Sequence, residues 1–160
     1  MKPEKVRETV AEATVAAGQL ADHLERMAKR LAPTFPLSAE MLETWGDEER
    51  ERLHAFLRMF EQAHELTAKL LFRGIMTLSS EDPLALSARN LVRRMEKLWV
   101  IDSADAWLDL MTVRNELVHD YPTNSKLQAH NANRCWEKLP TLIAAVRQTI
   151  AYIEREGLLN

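Results

Sequence analysis

Cysteine, glycine and proline are scarce in this chain. Its 160 residues include one cysteine, four glycines and six prolines. A single cysteine, Cys135, rules out an internal disulfide and a metal site built from several thiolates. Most glycines and prolines fall between long periodic stretches, and this composition favours helix throughout. With 46% hydrophobic and 28% charged residues, the chain can bury a core and stay in solution.

A strong charge of one sign and a long apolar run are also missing. The formal net charge is −3, which argues against bulk nucleic-acid binding, so any such contact must come from a local patch. The charged N-terminus, Met1 to Lys5, leads into no apolar run long enough for a signal peptide or a membrane span. We therefore expect a cytoplasmic protein that does not associate with membranes.

Helical periodicity predicts an all-α protein. Residues 1–160 are expected to form a single antiparallel up-and-down helical bundle of four to five long helices plus a short one. The predicted spans run approximately from Pro3 to Leu31, from Ser38 to Trp45 (the short helix), from Asp47 to Leu78, from Pro83 to Trp99, from Asp102 to Tyr121 and from Asn124 to Glu156.

Capping residues and helix breakers set these boundaries. Asp47, Asp82 and Asp102 each precede a periodic stretch and are the predicted N-caps. The residue three positions after Asp47 is an arginine, so no capping box is expected there. Pro140 lies inside the last stretch and should kink or divide that helix. Gly157 is a suitable stop signal.

The penultimate helix carries a charge where its pattern calls for an apolar residue. On a helical wheel, Arg114 falls near the middle of the apolar arc, with Asn115 inside the arc and His119 at its edge. An arginine keeps its charge, and burying it without a partner costs several kcal/mol. It must therefore meet an internal carboxylate, reach a cleft or face a second subunit. One interpretation is a structural salt bridge to Glu61 or Glu65.

A second interpretation treats these residues as a site. An arginine, an asparagine and a histidine gather at one helix end, just before Tyr121-Pro122. RNA offers a phosphate to the arginine and a 2′-hydroxyl to the histidine. Because Arg114 and His119 are five residues apart, they diverge by about 140° on a regular helix. Fraying of the helix near Pro122, or a second copy of the cluster, would let both reach one phosphate.

A short motif in this region resembles a known family. The stretch Arg114-Asn115-Glu116-Leu117-Val118-His119-Asp120-Tyr121 resembles the Arg-x4-His-x-Tyr motif of HEPN-domain proteins, in particular the HepT toxins. The earlier segment from Phe60 to Leu66 is similar to the matching helix of HepT relatives described as nucleotidyltransferase substrate-binding proteins. The resemblance covers roughly Leu53 to Glu156.

This resemblance implies a metal-independent endoribonuclease toxin that uses no cofactor and acts as a homodimer or a higher homo-oligomer. Arg114 would hold the scissile phosphate of the RNA substrate and stabilise its added negative charge. His119 would act as general base or acid. Asn115 would support them by orienting the imidazole or the phosphate.

The resemblance also implies a protein partner. HepT toxins are usually neutralised by a small MNT-type nucleotidyltransferase antitoxin, which transfers AMP to the tyrosine of the motif, here Tyr121. AMPylation would place a bulky anion beside His119 and block the phosphate site. Asp120 departs from a phosphate-binding pattern because it adds negative charge. The alternative is a non-catalytic HEPN binding module that partners a nucleotidyltransferase, since a fold alone does not imply an activity.

Three Glu-x-x-His pairs raise a different hypothesis, a di-iron site within the bundle. They begin at Glu51, Glu61 and Glu116. Glu116 points away from the apolar stripe, and the other two pairs share one helix, so the pattern of inward carboxylates that such sites need is missing. We therefore expect His64 to be a core histidine.

A row of basic residues recurs every four positions, at Arg89, Arg93 and Lys97. Such a row can follow an RNA backbone, dock an acidic partner or face solvent.

Overall fold

The structure, a computed structural model, describes residues 2–119 and 123–160, and for His119 the backbone alone. Within these ranges the chain has no strand and forms helices α1 (Pro3–Leu31), α2 (Ala39–Thr44), α3 (Asp47–Leu66), α4 (Arg73–Leu78), α5 (Ala88–Lys97), α6 (Ala104–Glu116) and α7 (Ser125–Arg155). A π-helical segment, Thr67–Phe72, joins α3 to α4, so the three form one rod. The predicted all-helical bundle, with five long helices and a short one, is confirmed.

Helix α1 packs along α3, α4 and α7. Its buried residues are three or four positions apart, the spacing of one helix face, and include Val10, Ala13, Ala17 and Leu24. The alanines in this stripe let neighbouring backbones come close. At Gly74 of α4 a Cβ atom would collide with the Cγ2 atom of Val10.

The π-helical segment in the rod was not predicted. A π turn holds an extra residue, so it rotates the following side chains by about 100° relative to a regular helix. Thr67, Leu71 and Ile75 are buried, and Phe72 is buried as well. The wider turn thus places two consecutive large side chains, Leu71 and Phe72, in the core.

Two predicted N-caps lie one position away from the residue that precedes the helix. Gly46, not Asp47, precedes α3, and its N–H donates to the Glu49 carboxylate at 3.1 Å, which is the half of a capping box that was predicted to be absent. Ser103, not Asp102, caps α6 by accepting from the N–H of Ala106 at 3.1 Å. In both places two adjacent residues are able to precede the helix, and the path of the incoming chain determines which of them does.

The segment before α5 also differs from its prediction. Asp82 caps only a 3₁₀ turn, Pro83–Ala85, and α5 begins after Ser87, whose hydroxyl accepts from the N–H of Asn90. The helix therefore starts five residues later than Pro83. Glu81 forms a two-bond salt bridge with Arg94 of α5, at 2.5 and 3.0 Å, which ties this connection to the helix.

Pro140 was expected to kink or divide this segment, and it does not divide it, because helix α7 runs unbroken through the proline. A proline inside a helix removes one hydrogen bond. Packing against α1, α2, α3 and α6 holds both halves in place. The ends were predicted well: the Asn124 side chain caps the first turn, and Gly157 follows the helix with a φ of +60°, a conformation that favours glycine.

The core sits where α3, α6 and α7 meet α1. Its largest fully buried side chains include Trp107, Phe56, Phe60 and Phe72. The Trp107 ring lies between the ring of Phe72, at 4.8 Å, and the ring of His64, at 4.7 Å. None of the helices in the described ranges has the length and apolar character that a bilayer crossing requires.

Candidate functional site

The motif lies where α6 ends. Helix α6 stops at Glu116, and a 3₁₀ turn, Leu117–His119, follows. Arg114 is therefore in the last turn of α6, with Asn115 beside it. The predicted AMP acceptor Tyr121 lies outside the described residues, and so do Asp120 and Pro122.

Arg114 is partly buried and is held by acidic side chains of α3. Its side chain is 22% exposed, and its Nη2 atom forms an ion pair with Glu65 and lies 3.8 Å from Glu61 Oε1. Its Nη1 atom donates to Asn115 Oδ1 at 3.1 Å. The predicted salt bridge between Arg114 and the glutamates of the long helix is confirmed. Asn115 contacts the guanidinium.

These carboxylates also bind two further cations. Glu61 lies 3.4 Å from Arg58, and Glu65 lies 3.5 Å from Lys69. The resulting network, here called the Arg114 network, is a chain of alternating charges: Arg58, Glu61, Arg114, Glu65 and Lys69. It contains three cations and two carboxylates, so it carries a net charge of +1. An anion that approached it would be attracted.

The Arg114 guanidinium is also not fully satisfied. Its Nε atom is buried and has no hydrogen-bond partner among the described residues. A buried N–H of a charged group without a partner is unfavourable by about 1–3 kcal/mol. The arginine is thus positioned by its carboxylates while one of its donors remains unused.

One wheel position near the end of α6 is wrong. Asn115 was placed inside the apolar arc, yet it is exposed, and Val118 in the following turn is 66% exposed as well. The α-helix ends two residues after Arg114. The tighter turn that follows changes the rotation per residue, so a wheel drawn for a regular helix does not hold there.

The 3₁₀ turn does not bring positions 114 and 119 to the same side. At about 120° per residue in such a turn, instead of 100°, they lie roughly 160° apart around the axis. The 3₁₀ turn therefore does not have the effect expected of fraying near Pro122, which is to let both residues reach one phosphate. The expected fraying near Pro122 falls on residues outside the described ranges.

His64 is a core histidine, as predicted. It is 4% exposed, and its ring stacks on Trp107 with an interplanar angle of 15°. Neither ring nitrogen has a hydrogen-bond partner among the described residues. Burial, with the nearby charges of Arg114 and Lys69, lowers its pKa from 6.5 to about 4, so the ring is neutral near pH 7.

The remaining Glu-x-x-His carboxylates have other partners. Glu61 faces Arg114, and Glu116 forms a salt bridge with Arg134 of α7 at 2.5 Å. In the described part of the chain, no group of three or more His, Cys, Asp or Glu side chains is placed to hold a metal ion.

Of two cavities, the smaller adjoins the motif and the larger lies apart from it. One, of about 250 Å³, adjoins the end of α6 and is lined by Glu116, Leu127, His130 and Asn131. A larger one, of about 420 Å³, lies between the C-terminal end of α1 and the start of α3, where Phe35, Trp45 and Arg52 line it. It contains no residue of the motif, and no sequence pattern pointed to it.

The exposure of Trp99 was not predicted. Only the end of a helix is expected at this tryptophan, but it is 72% exposed and has a φ of +62°. No local signal marks such a position, because glycine or asparagine is the usual sign of a positive φ.

Comparison with known proteins adds no relative: no family model matches the chain, and neither a curated protein nor a solved structure matches it significantly. The resemblance to HEPN proteins therefore depends on the motif residues and their setting.

Proposed function

We propose that this chain is a HEPN-like endoribonuclease toxin that cleaves RNA without a metal, and that an MNT-type nucleotidyltransferase silences it by AMPylation of Tyr121. One observation carries the proposal. Arg114, the arginine of the motif, is still partly exposed, and it belongs to a network in which three cations outnumber two carboxylates. Such a group attracts the anionic phosphate of RNA and stabilises the added charge of a transition state.

The chemistry needs only the residues of the motif. His119, as general base, takes the proton of the 2′-hydroxyl, and the 2′-oxygen attacks the adjacent phosphorus. The bond from phosphorus to the 5′-oxygen breaks, and that oxygen leaves with a proton from water, while the protonated His119 returns its proton to the solvent. The products are a 2′,3′-cyclic phosphate and a 5′-hydroxyl. Arg114 binds the phosphate oxygens throughout, and Asn115 holds the guanidinium.

A homodimer completes the proposed site. Positions 114 and 119 lie on nearly opposite sides of one helix end, roughly 160° apart. In a two-fold dimer, Arg114 of one copy and His119 of the other can face the same phosphate, and two equivalent sites result. The cavity lined by Glu116 and Asn131 lies next to this helix end. A cytoplasmic location fits this function, because RNA and the proposed nucleotidyltransferase are found there.

The second candidate is a non-catalytic HEPN module that binds a nucleotidyltransferase. The observation in its favour is the ion pair between Arg114 and Glu65. If that pair is kept when RNA is present, Arg114 holds α6 on α3 and performs no chemistry.

RNA cleavage in EDTA distinguishes the two candidates. The samples are wild type, His119→Ala and His54→Ala, which removes an exposed histidine of α3 and serves as the matched control. The proposal predicts cyclic phosphate ends from wild type and from His54→Ala, with a loss of at least a hundredfold for His119→Ala.

Intact mass is recorded for the same samples. A wild-type chain of unmodified mass that does not cleave a broad set of RNAs would overturn the nuclease proposal in favour of the binding module. An added AMP would explain silence and would support the partner enzyme.

A further inference from the structure

The turn between α5 and α6 presents a tryptophan where a glycine is expected. After α5, the N–H of Val100 donates to the carbonyl of Met95 at 2.9 Å, and the N–H of Trp99 donates to the carbonyl of Glu96 at 3.0 Å. This is the Schellman pattern, whose left-handed residue is usually glycine. Trp99 occupies that place with a φ of +62°. A bulky side chain is unfavourable in this conformation.

The surrounding structure holds this strained residue in place. Val100 and Met95 are both buried and anchor the turn on the core. The carbonyl of Trp99 accepts from the side-chain amide of Gln148 on α7 at 3.5 Å, and the same amide donates to Asp102 at 2.8 Å. The Trp99 side chain is nevertheless 72% exposed. The fold thus maintains an unfavourable backbone conformation at Trp99 and buries little of its ring. This combination indicates that the ring contacts a ligand and not the rest of the chain.

A row of cations precedes this tryptophan in the chain. Arg89, Arg93 and Lys97 are exposed and lie on the face of α5 opposite its buried residues. Successive members are four residues apart, which is about 6 Å along the helix. Arg89 and Lys97 form no ion pair with any residue that the structure describes, and Arg93 reaches only Asp105, at 3.6 Å. Trp99 follows Lys97 by two residues.

An exposed aromatic ring that follows a row of exposed cations in the chain matches single-stranded nucleic acid better than a protein partner. A protein interface has an apolar core made of several side chains. The other large exposed apolar residues of the described chain lie in other segments: Val15, Leu70, Leu84 and Val118. Single-strand binding uses a basic groove for the backbone and an aromatic platform for the bases.

We propose that Trp99, with Arg93 and Lys97, forms a binding site for single-stranded RNA, in which an unpaired base stacks on the indole and the cations contact the phosphates. This rests on the proposed function in one respect, that the strand is RNA. The site is separate from the motif, because Arg114 lies ten residues beyond the start of α6, about 15 Å along its axis.

Binding is measured by fluorescence anisotropy of a labelled oligouridine in EDTA, with the full chain carrying His119→Ala so that the probe is not cut. Trp99→Gly should weaken binding by about tenfold or more. The same substitution relieves the left-handed strain, so the midpoint of urea unfolding should stay the same or rise. Leu84→Ala, at a side chain that is 81% exposed, is the matched control and should change neither quantity.

Two further variants test the row. Arg93→Gln and Lys97→Gln should each weaken binding and reduce its salt dependence by about one ion. Arg94→Gln, which removes a cation already bound to Glu81, should weaken binding less.

Unchanged affinity of the Trp99→Gly variant would overturn the proposed site. The proposal would also fail if polyglutamate of equal charge displaced the probe and unlabelled oligouridine did not. Equal affinity for the deoxy probe supports it and shows that stacking does not use the 2′-hydroxyl. The wild-type chain could bind RNA through Trp99 and yet not cleave it. That result would support the Trp99 site and contradict only the nuclease proposal.

Discussion

At the scale of single residues, His64 is the group whose charge is most strongly opposed by the fold. Its imidazole is stacked on Trp107, has no hydrogen-bond partner among the described residues and lies close to the charge of Arg114. A histidine in this setting is stable only in its neutral form. The consequence is a dependence of stability on pH that this one side chain should dominate in the acid range.

We expect the free energy of unfolding to fall as the pH drops from about 6.5 to 4. The pKa of His64 is about 4 in the fold and 6.5 otherwise, so the unfolded chain binds the proton first, and the contribution present above pH 6.5 is lost toward pH 4. The difference corresponds to about 3 kcal/mol. Urea unfolding at pH 7.5 and pH 4.5 measures it. His64→Phe should remove most of this loss, whereas His54→Ala, at an exposed histidine, should retain it.

Arg114 and Glu65 provide a second prediction at this scale. Their side chains are 22% and 28% exposed, so their pair lies between a surface and a buried salt bridge. A double-mutant cycle with Arg114→Gln and Glu65→Gln should give a coupling of about 1–2 kcal/mol. The pair Arg52–Glu48, at 63% and 78% exposure, is the control and should give less than about 0.5 kcal/mol. Equal couplings would show that Arg114 is not held by α3.

At the scale of helices, the contact of α1 with α4 depends on a missing side chain. Gly74 is buried against Val10, a stiff residue that is 1% exposed. Gly18, in α1, differs: a Cβ atom there would meet only Ile150, at an ordinary 3.7 Å. The two glycines therefore have opposite roles, although both lie inside helices.

Gly74→Ala should lower the free energy of unfolding by about 1–3 kcal/mol through overpacking. Gly18→Ala should raise it by about 0.5–1 kcal/mol, because alanine favours helix over glycine. Thermal or urea unfolding of the two variants measures both. Val10→Ala should suppress the effect of Gly74→Ala in the double variant. A stabilised Gly74→Ala chain would show that α4 and α1 are farther apart.

The boundaries of the helices show what local patterns could and could not supply. The helix starts at Ser38 and Asn124 and the stop at Gly157 lie where they were predicted, because these side chains, or the flexibility of glycine, suit only one place in their segments. Asp47 and Asp102 each compete with a neighbour for the cap, and the path of the incoming chain decides. The π-helical segment, Thr67–Phe72, exists because core packing favours it, and no local pattern announces that.

At the scale of the whole molecule, the proposed site depends on two copies of the chain. Arg114→Ala and His119→Ala should each be inactive alone. When the two are mixed and allowed to exchange subunits, half of the sites in each mixed dimer regain both residues, so about a quarter of wild-type activity should return. RNA cleavage before and after mixing measures this recovery. Continued inactivity, despite exchange shown by differently tagged chains, would place both residues within one copy.

The sequence was enough to predict the helical class, the spans of the long helices, the buried position of His64 and two possible partners for Arg114. These follow from periodicity and from the cost of burying a charge, which are local or pairwise properties. The motif that resembles HEPN proteins was also visible in the sequence, although Tyr121 lies outside the described residues.

Three features depend on tertiary structure: the partner of Arg114, the net charge of the network around it, and the turn that exposes Trp99. Glu65 and Arg114 are far apart in the chain, and only the packing of α6 on α3 brings them together. The positive φ of Trp99 is imposed by the buried neighbours Val100 and Met95, against the preference of the residue itself. Such features depend on contacts between distant segments, and local sequence patterns do not encode them.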